Sequence, residues 1–185
     1  MKELSLNILD IAENSVKAGA SLTQILINET ADEIVISIID DGCGMTAETL
    51  SAVQNPFFTT RTTRSVGMGI PLFKMQALLT EGDFKISSRH KSQFPDNSGT
   101  EVTASFKKNH IDCTPLGDIT ASVTTLIQGH PDTDFLFCHK TENAQICLDT
   151  REMREILGED VPLNSYDVIK WAEEFLIEQY SEAKK

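Results

Sequence analysis

The chain has 185 residues, 40% of them apolar, and a net charge of −12. That is ample for a packed core, and the excess of acid argues against a nucleic-acid backbone or an anionic membrane surface as the main partner. No apolar run is long enough to span a bilayer, and MKELSLNILDIAEN carries acids where a secretion signal would carry cations, so a cytoplasmic protein is expected.

The charge is unevenly spread. Residues 1–109 hold 10 basic and 13 acidic side chains, and residues 110–185 hold 6 and 15. The predicted organisation is therefore a domain over 1–109 and an acidic α+β extension over 110–185, with NHIDCTPLGD as the joint. Cys43, Cys113, Cys138 and Cys147 show no CxxC spacing, which predicts reduced thiols without a zinc site or a disulfide.

In chain order, Leu4, Ile8, Ile11, Ser15 and Ala18 recur at steps of three and four, so Leu4–Ala18 is predicted as an amphipathic helix stopped by Gly19. LTQILINET and EIVISIID read as strands of a hairpin, and the second runs into DDGCGM. Thr46 is the predicted N-cap of a short helix to Val53. Pro56 opens PFFTTRTTRSVGMG, which has no clean period and reads as a long loop. Apolar spacing resumes at Ile70, with Pro71 tolerated in the first helical turn. DFKISSRH and TEVTASFKK are two further strands, giving one helical layer on a mostly antiparallel sheet.

After the joint come a helix over Asp118–Gln128, strands TDFLFCHK and AQICLDT, a helix over Arg151–Leu157 stopped by Gly158, and a last helix over Ser165–Tyr180. Ile119, Val123, Phe135, Phe137, Ile146, Leu148, Ile156, Val168, Trp171 and Phe175 are expected to form one apolar layer, leaving an acidic face for a basic partner surface. His90, His110, His130 and His139 are each expected at the surface.

Two glycines spaced as Gly-x-Gly before a helix, Gly67 and Gly69, suit either an ordinary turn or an anion site at a helix N-terminus. Their company decides between these. LDIAENSVKAGA on the first helix, DDGCGM at a strand end, NPFFTTRTTR in the loop, VGMGIPL at the next helix and SGTEVTASF near residue 100 stand in an order and spacing that resemble the GHKL superfamily. That superfamily includes gyrase B-type topoisomerases, heat-shock chaperones, histidine kinases and mismatch-repair ATPases. The resemblance covers residues 1–108.

The resemblance implies a two-layer α/β sandwich of the Bergerat type, with a mixed, mostly antiparallel sheet, that binds ATP with Mg²⁺. Asp10 and Asn14, four apart, share one helix face. Asn14 matches the family residue that offers an oxygen to Mg²⁺, a cation that favours hard oxygen ligands. Asp10 stands where hydrolytic members carry a glutamate that activates water, one methylene longer. Asp40 matches the acceptor for the adenine amine, and such an acceptor discriminates against guanine. Gly42, Gly44 and Met45 line the nucleotide beside it, and Thr100 completes the adenine side. Lys17, Phe58, Thr59, Thr60, Arg61, Arg64, Gly67, Met68, Gly69 and Ile70 are the remaining matched binding positions, with Arg61 and Arg64 suited to phosphate oxygens.

His90, His110, His130 and His139 are not expected to lie in a two-helix dimerisation segment, and no such segment is expected ahead of the nucleotide domain. The expected function is thus a stand-alone regulatory protein kinase or phosphotransfer protein acting on a protein partner, similar to anti-sigma kinases and histidine kinases. The alternative is an ATP-switched binding module with slow or no hydrolysis. A homodimer is compatible with either.

Overall fold

The computed structural model describes residues 3–53, 69–158 and 160–183. Its elements are α1 (Leu4–Lys17), β1 (Leu22–Glu29), β2 (Glu33–Asp40), α2 (Ala47–Ala52), α3 (Gly69–Leu79), β3 (Phe84–Arg89), β4 (Gly99–Lys107), α4 (Ile119–Gly129), β5 (Asp134–Lys140), β6 (Gln145–Asp149), α5 (Thr150–Leu157) and α6 (Tyr166–Glu182). Each predicted helix and strand among these residues is present, with ends shifted by a residue or two. Thr46 caps α2 through its side chain, which accepts from the Thr49 N–H. Gly158 stops α5 at φ 78°.

Six strands form one sheet in the order β3-β4-β2-β1-β5-β6. Every pairing is antiparallel except β1 with β5. The register explains the core. Ile25 lies opposite Ile38 and Phe137, Ile36 opposite Ile27 and Ala104, and Phe137 opposite Leu148. All of these side chains are buried, so alternation places one apolar row per strand on a single face. Helices α3, α1, α4 and α6 pack side by side over that face, in the order of the strands beneath them. Phe73 of α3 meets Phe106 of β4 with ring centroids 5.3 Å apart.

The segment after Asn109 adds two strands to the same sheet, and its Phe135, Phe137, Val123 and Leu126 join one cluster with Ile8 and Ile25. The expected apolar layer is correct for eight residues and fails at two: Ile156 is 83% exposed and Trp171 49%. On α6 the buried stripe is Val168, Ala172 and Leu176, spaced by four, and Trp171 stands on its flank, stacked on Phe175 at 4.9 Å. Small Ala172 at the centre of the stripe lets α6 approach α4 without the indole.

Two further expectations are corrected. His139 is not at the surface but 3% exposed, because its position on β5 puts it in the core-facing row, between Ile27 and Ile146. Cys138 and Cys147 are not free thiols but a disulfide, because the β5–β6 register sets them directly opposite, 4.2 Å apart at Cα. Cys43 and Cys113 are free. No described helix is long and apolar enough to cross a membrane.

Candidate functional site

The strand β2 ends at Asp40, and three donors from three parts of the chain converge on its carboxylate. Ser15 Oγ of α1 donates to Oδ2 at 2.9 Å. The Gly42 N–H donates to Oδ1 at 3.0 Å and the Thr100 N–H of β4 at 3.2 Å. Oδ1 thus has both lone pairs engaged, while Oδ2 accepts one hydrogen bond and keeps room for another. A half-buried carboxylate oriented by three donors, with one acceptor position left, is arranged to receive a donor from a ligand.

The neighbouring aspartate does a different job. Asp41 Oδ1 accepts from the Ser21 N–H at 2.7 Å and the Leu22 N–H at 2.9 Å, and the Ser21 hydroxyl donates to Oδ2. Burial pushes its carboxyl up, but these hydrogen bonds outweigh it and leave the pKa below the usual value. Asp41 therefore ties the end of β2 to the start of β1, whereas Asp40 is held by α1, the glycine turn and β4 together.

Beyond Gly42 the chain folds back over β3. Gly44 has φ 67°, and a Cβ there would lie 2.1 Å from the Arg89 carbonyl oxygen, so only glycine lets the turn settle onto the end of the strand. The Met45 N–H then donates to Ser88 Oγ at 2.8 Å, and Ser88 Oγ bonds the Gly99 carbonyl at 3.0 Å and Thr100 Oγ1 at 2.9 Å. Ser88 lies opposite Thr100 in the β3–β4 register. One hydroxyl thereby joins the glycine turn to the strand that orients Asp40.

On α1, Asp10 faces the start of α3, and Asn14 follows one turn later on the same side of the helix. A Cβ on Gly69 would sit 3.2 Å from the Asp10 Cβ and 3.6 Å from its Oδ2, so glycine brings the first turn of α3 directly against Asp10. Ile70 follows, half-buried on the same turn. No neighbouring group among the described residues hydrogen-bonds the Asp10 carboxylate. Lys17 is exposed and held by Glu13 at 3.2 Å, and Glu13 also bonds His130 at 2.7 Å. Burial pushes the Glu13 carboxyl up, and His130 and Lys17 together bring it below its usual value. Phe58, Thr59, Thr60, Arg61, Arg64, Gly67 and Met68 lie outside the described residues.

Three residues of this corner were not singled out in the sequence. Ser15 resembles one more small residue of the core stripe, and Ser88 one polar position of a strand; their roles come from contacts across 25 and 12 residues. Asn7 is fully buried on α1, with neither side-chain polar atom hydrogen-bonded among the described residues, one turn before Asp10 on the same side of the helix.

The sequence compares with known proteins as this geometry would suggest. Residues 2–110 match the family described as histidine kinase-, DNA gyrase B-, and HSP90-like ATPase. Among curated proteins, sporulation kinase C of Bacillus subtilis is 31% identical over 88 residues, 48% of this chain and 20% of that protein. The sensor histidine kinase YvrG of the same organism is 30% identical over 101 residues, 51% of this chain and 16% of that protein. The chain thus spans a fifth or less of these relatives. Among solved structures, the Aquifex aeolicus MutL ATPase domain complexed with ADP superposes with a TM-score of 0.56 at 15% identity, covering 85% of this chain and 69% of that one. At that identity the likeness is one of fold, and it extends past residue 110.

Proposed function

Because the chain belongs to the histidine kinase-, DNA gyrase B-, and HSP90-like ATPase family, we propose that the corner around Asp40 binds ATP and that the protein is a regulatory kinase or phosphotransfer protein acting on another protein. The observation that carries the reading is the Asp40 carboxylate, fixed by Ser15, Gly42 and Thr100 with an acceptor position left over. That position matches an exocyclic amine, which adenine has where guanine has a carbonyl.

The residues present fit the rest of the nucleotide. The glycine turn at Gly44 keeps side chains away from the base, and Gly69 brings the N-terminal turn of α3, where backbone N–H groups lack intrahelical acceptors, beside Asp10, one turn from Asn14 on α1. Asn14 offers a hard oxygen of the kind Mg²⁺ takes together with phosphate oxygens. ATP supplies the transferable phosphoryl group; the chain's own residues orient the base, receive the phosphates and place Asp10 beside them. The two Bacillus subtilis relatives are kinases by name, which supports phosphotransfer as the outcome. A cytoplasmic location accords with this role.

One observation favours a second reading, an ATP-switched binding module with slow hydrolysis. No described group orients the Asp10 carboxylate, and a general base works best when a neighbour holds it. Incubation of the full chain with γ-labelled ATP and a lysate of its source separates the two. Label moving onto a discrete protein supports phosphotransfer, and nucleotide-dependent association without label supports the switch. Absence of ATP binding would remove both.

A further inference from the structure

The sheet face opposite the helices carries a cluster that nucleotide binding does not use. Register places Cys138 opposite Cys147 and Lys140 opposite Gln145, so these four side chains form a square on one face of the β5–β6 hairpin. Gln145 Nε2 donates to both sulfurs, at 3.2 Å each. Beside the square runs a groove of about 240 Å³ lined by Leu26, Asn28, Val35, Cys138, Lys140 and Gln145, residues that parity sends to the face without helices. The two sulfurs are therefore half-exposed at an open groove with an amide donor and a cation alongside.

A structural staple is a poor account of this bond. Its cysteines are only 9 apart in sequence, in a hairpin whose ends the β5–β6 ladder already joins. Cross-linking a loop that is already closed removes little further chain entropy. The bond can open without undoing the fold, and the groups around it suit what opening produces: a thiolate is stabilised by a nearby ammonium and by an amide N–H.

We propose that Cys138 and Cys147 form a thiol–disulfide exchange site that accepts a thiol co-reactant in the groove. The incoming thiolate attacks Cys138 Sγ, the sulfur that lines the groove. The Cys138–Cys147 bond breaks as the mixed disulfide forms, and Cys147 leaves as a thiolate held by the Gln145 amide, then takes a proton. A second thiolate then attacks the co-reactant sulfur of the mixed disulfide, and Cys138 leaves as a thiolate and takes a proton, so that two thiols become one disulfide and both cysteines end as thiols. Two electrons and two protons pass from the co-reactant to the hairpin.

The test uses the full chain under native conditions, with reduced glutathione and, separately, a reduced dithiol protein such as thioredoxin. Alkylation followed by mass spectrometry should show Cys138 and Cys147 blocked before reduction and both modified after it, with the far-ultraviolet circular dichroism unchanged. The faster reductant identifies a small thiol or a protein dithiol as the source. In Cys147→Ser, oxidised glutathione should be captured on Cys138, whereas Cys138→Ser should capture it far more slowly on Cys147. Lys140→Met should slow capture about threefold, the net of less thiolate and a partly compensating rise in its nucleophilicity. The proposal is overturned if the pair alkylates fully without reductant, if neither reductant opens the bond until the protein unfolds, or if the two serine variants capture glutathione equally. ATP affinity measured on the same samples keeps this result separate from the nucleotide reading.

Discussion

Two of the clusters of buried or half-buried polar groups among the described residues are completed in opposite ways. Around His139 the network closes on itself. His139 Nδ1 pairs with the Tyr180 hydroxyl at 2.8 Å and Nε2 with Glu29 at 3.1 Å, while the other Glu29 oxygen accepts from Lys108 at 2.6 Å. Lys108 also donates to the Thr30 carbonyl. At the Asp40 corner the groups are oriented but not used up: Asp40 keeps an acceptor site, and Asp10 has no partner among the described residues. A closed network gains by joining elements, here α6, β5 and β1. An open one is worth its desolvation cost only if a ligand completes it.

The largest expected effect breaks the open cluster. Asp40→Asn leaves the donors from Ser15, Gly42 and Thr100 facing a group that accepts through one oxygen only. ATP affinity measured by calorimetry should fall about 10- to 100-fold, the range for hydrogen bonds to a charged group. An unchanged affinity would place the nucleotide elsewhere. Next, Asp10→Asn should reduce any ATP hydrolysis by about 100-fold or more, the scale of a lost general base, while binding stays within about threefold of wild type. Hydrolysis that persists at the wild-type rate would exclude Asp10 as the base.

The closed cluster is sharpened by pH. Burial lowers the His139 pKa from the usual 6.5, and the opposing pull of Glu29 is not enough to restore it. The folded state therefore favours neutral imidazole. The associated stability is fully present above pH 6.5 and is lost as pH falls through the depressed folded value. Melting temperature should drop on the acid side of 6.5, and His139→Gln should flatten that slope while lowering stability at neutral pH. An acid slope identical in the variant would assign it to other groups. Burial, with Glu29 nearby, raises the Tyr180 pKa, so its hydroxyl remains a donor across the whole range.

The helices, strands and glycine turn were legible because each rests on local signals: period, caps and positive φ. Asp40, Asn14 and Asp10 could be singled out because they fall within several motifs whose order and spacing resemble one family, and the roles proposed for them rest on that resemblance. Ser15, Ser88 and the Cys138–Cys147 pair were not, since each depends on strand register or helix placement that spacing along the chain does not encode. His139 shows the same limit. The alternation of TDFLFCHK puts it in the row of Phe135 and Phe137, but histidine's polarity argues for the surface until Tyr180 and Glu29 supply partners from distant segments.

Two smaller effects refine the contrast. Asn7 is buried with no hydrogen bond among the described residues, so Asn7→Leu should raise stability by about 1 kcal/mol in chemical denaturation, as expected when an unsatisfied amide gives way to an apolar isostere. A loss of stability would mean that the amide is satisfied in solution. Lys17 is tied to Glu13 and exposed, so Lys17→Met should change ATP affinity by less than about threefold, the scale of a surface ion pair. A larger loss would add Lys17 to the phosphate-binding groups.

The central claim is that the spare acceptor on Asp40 reads an adenine amine. It is tested most directly by calorimetric titration of the full chain with ATP and with GTP, each with Mg²⁺. ATP should bind at least about 100-fold more tightly, because guanine turns a carbonyl toward the carboxylate and leaves both unpaired. Equal affinity for the two nucleotides would contradict the account.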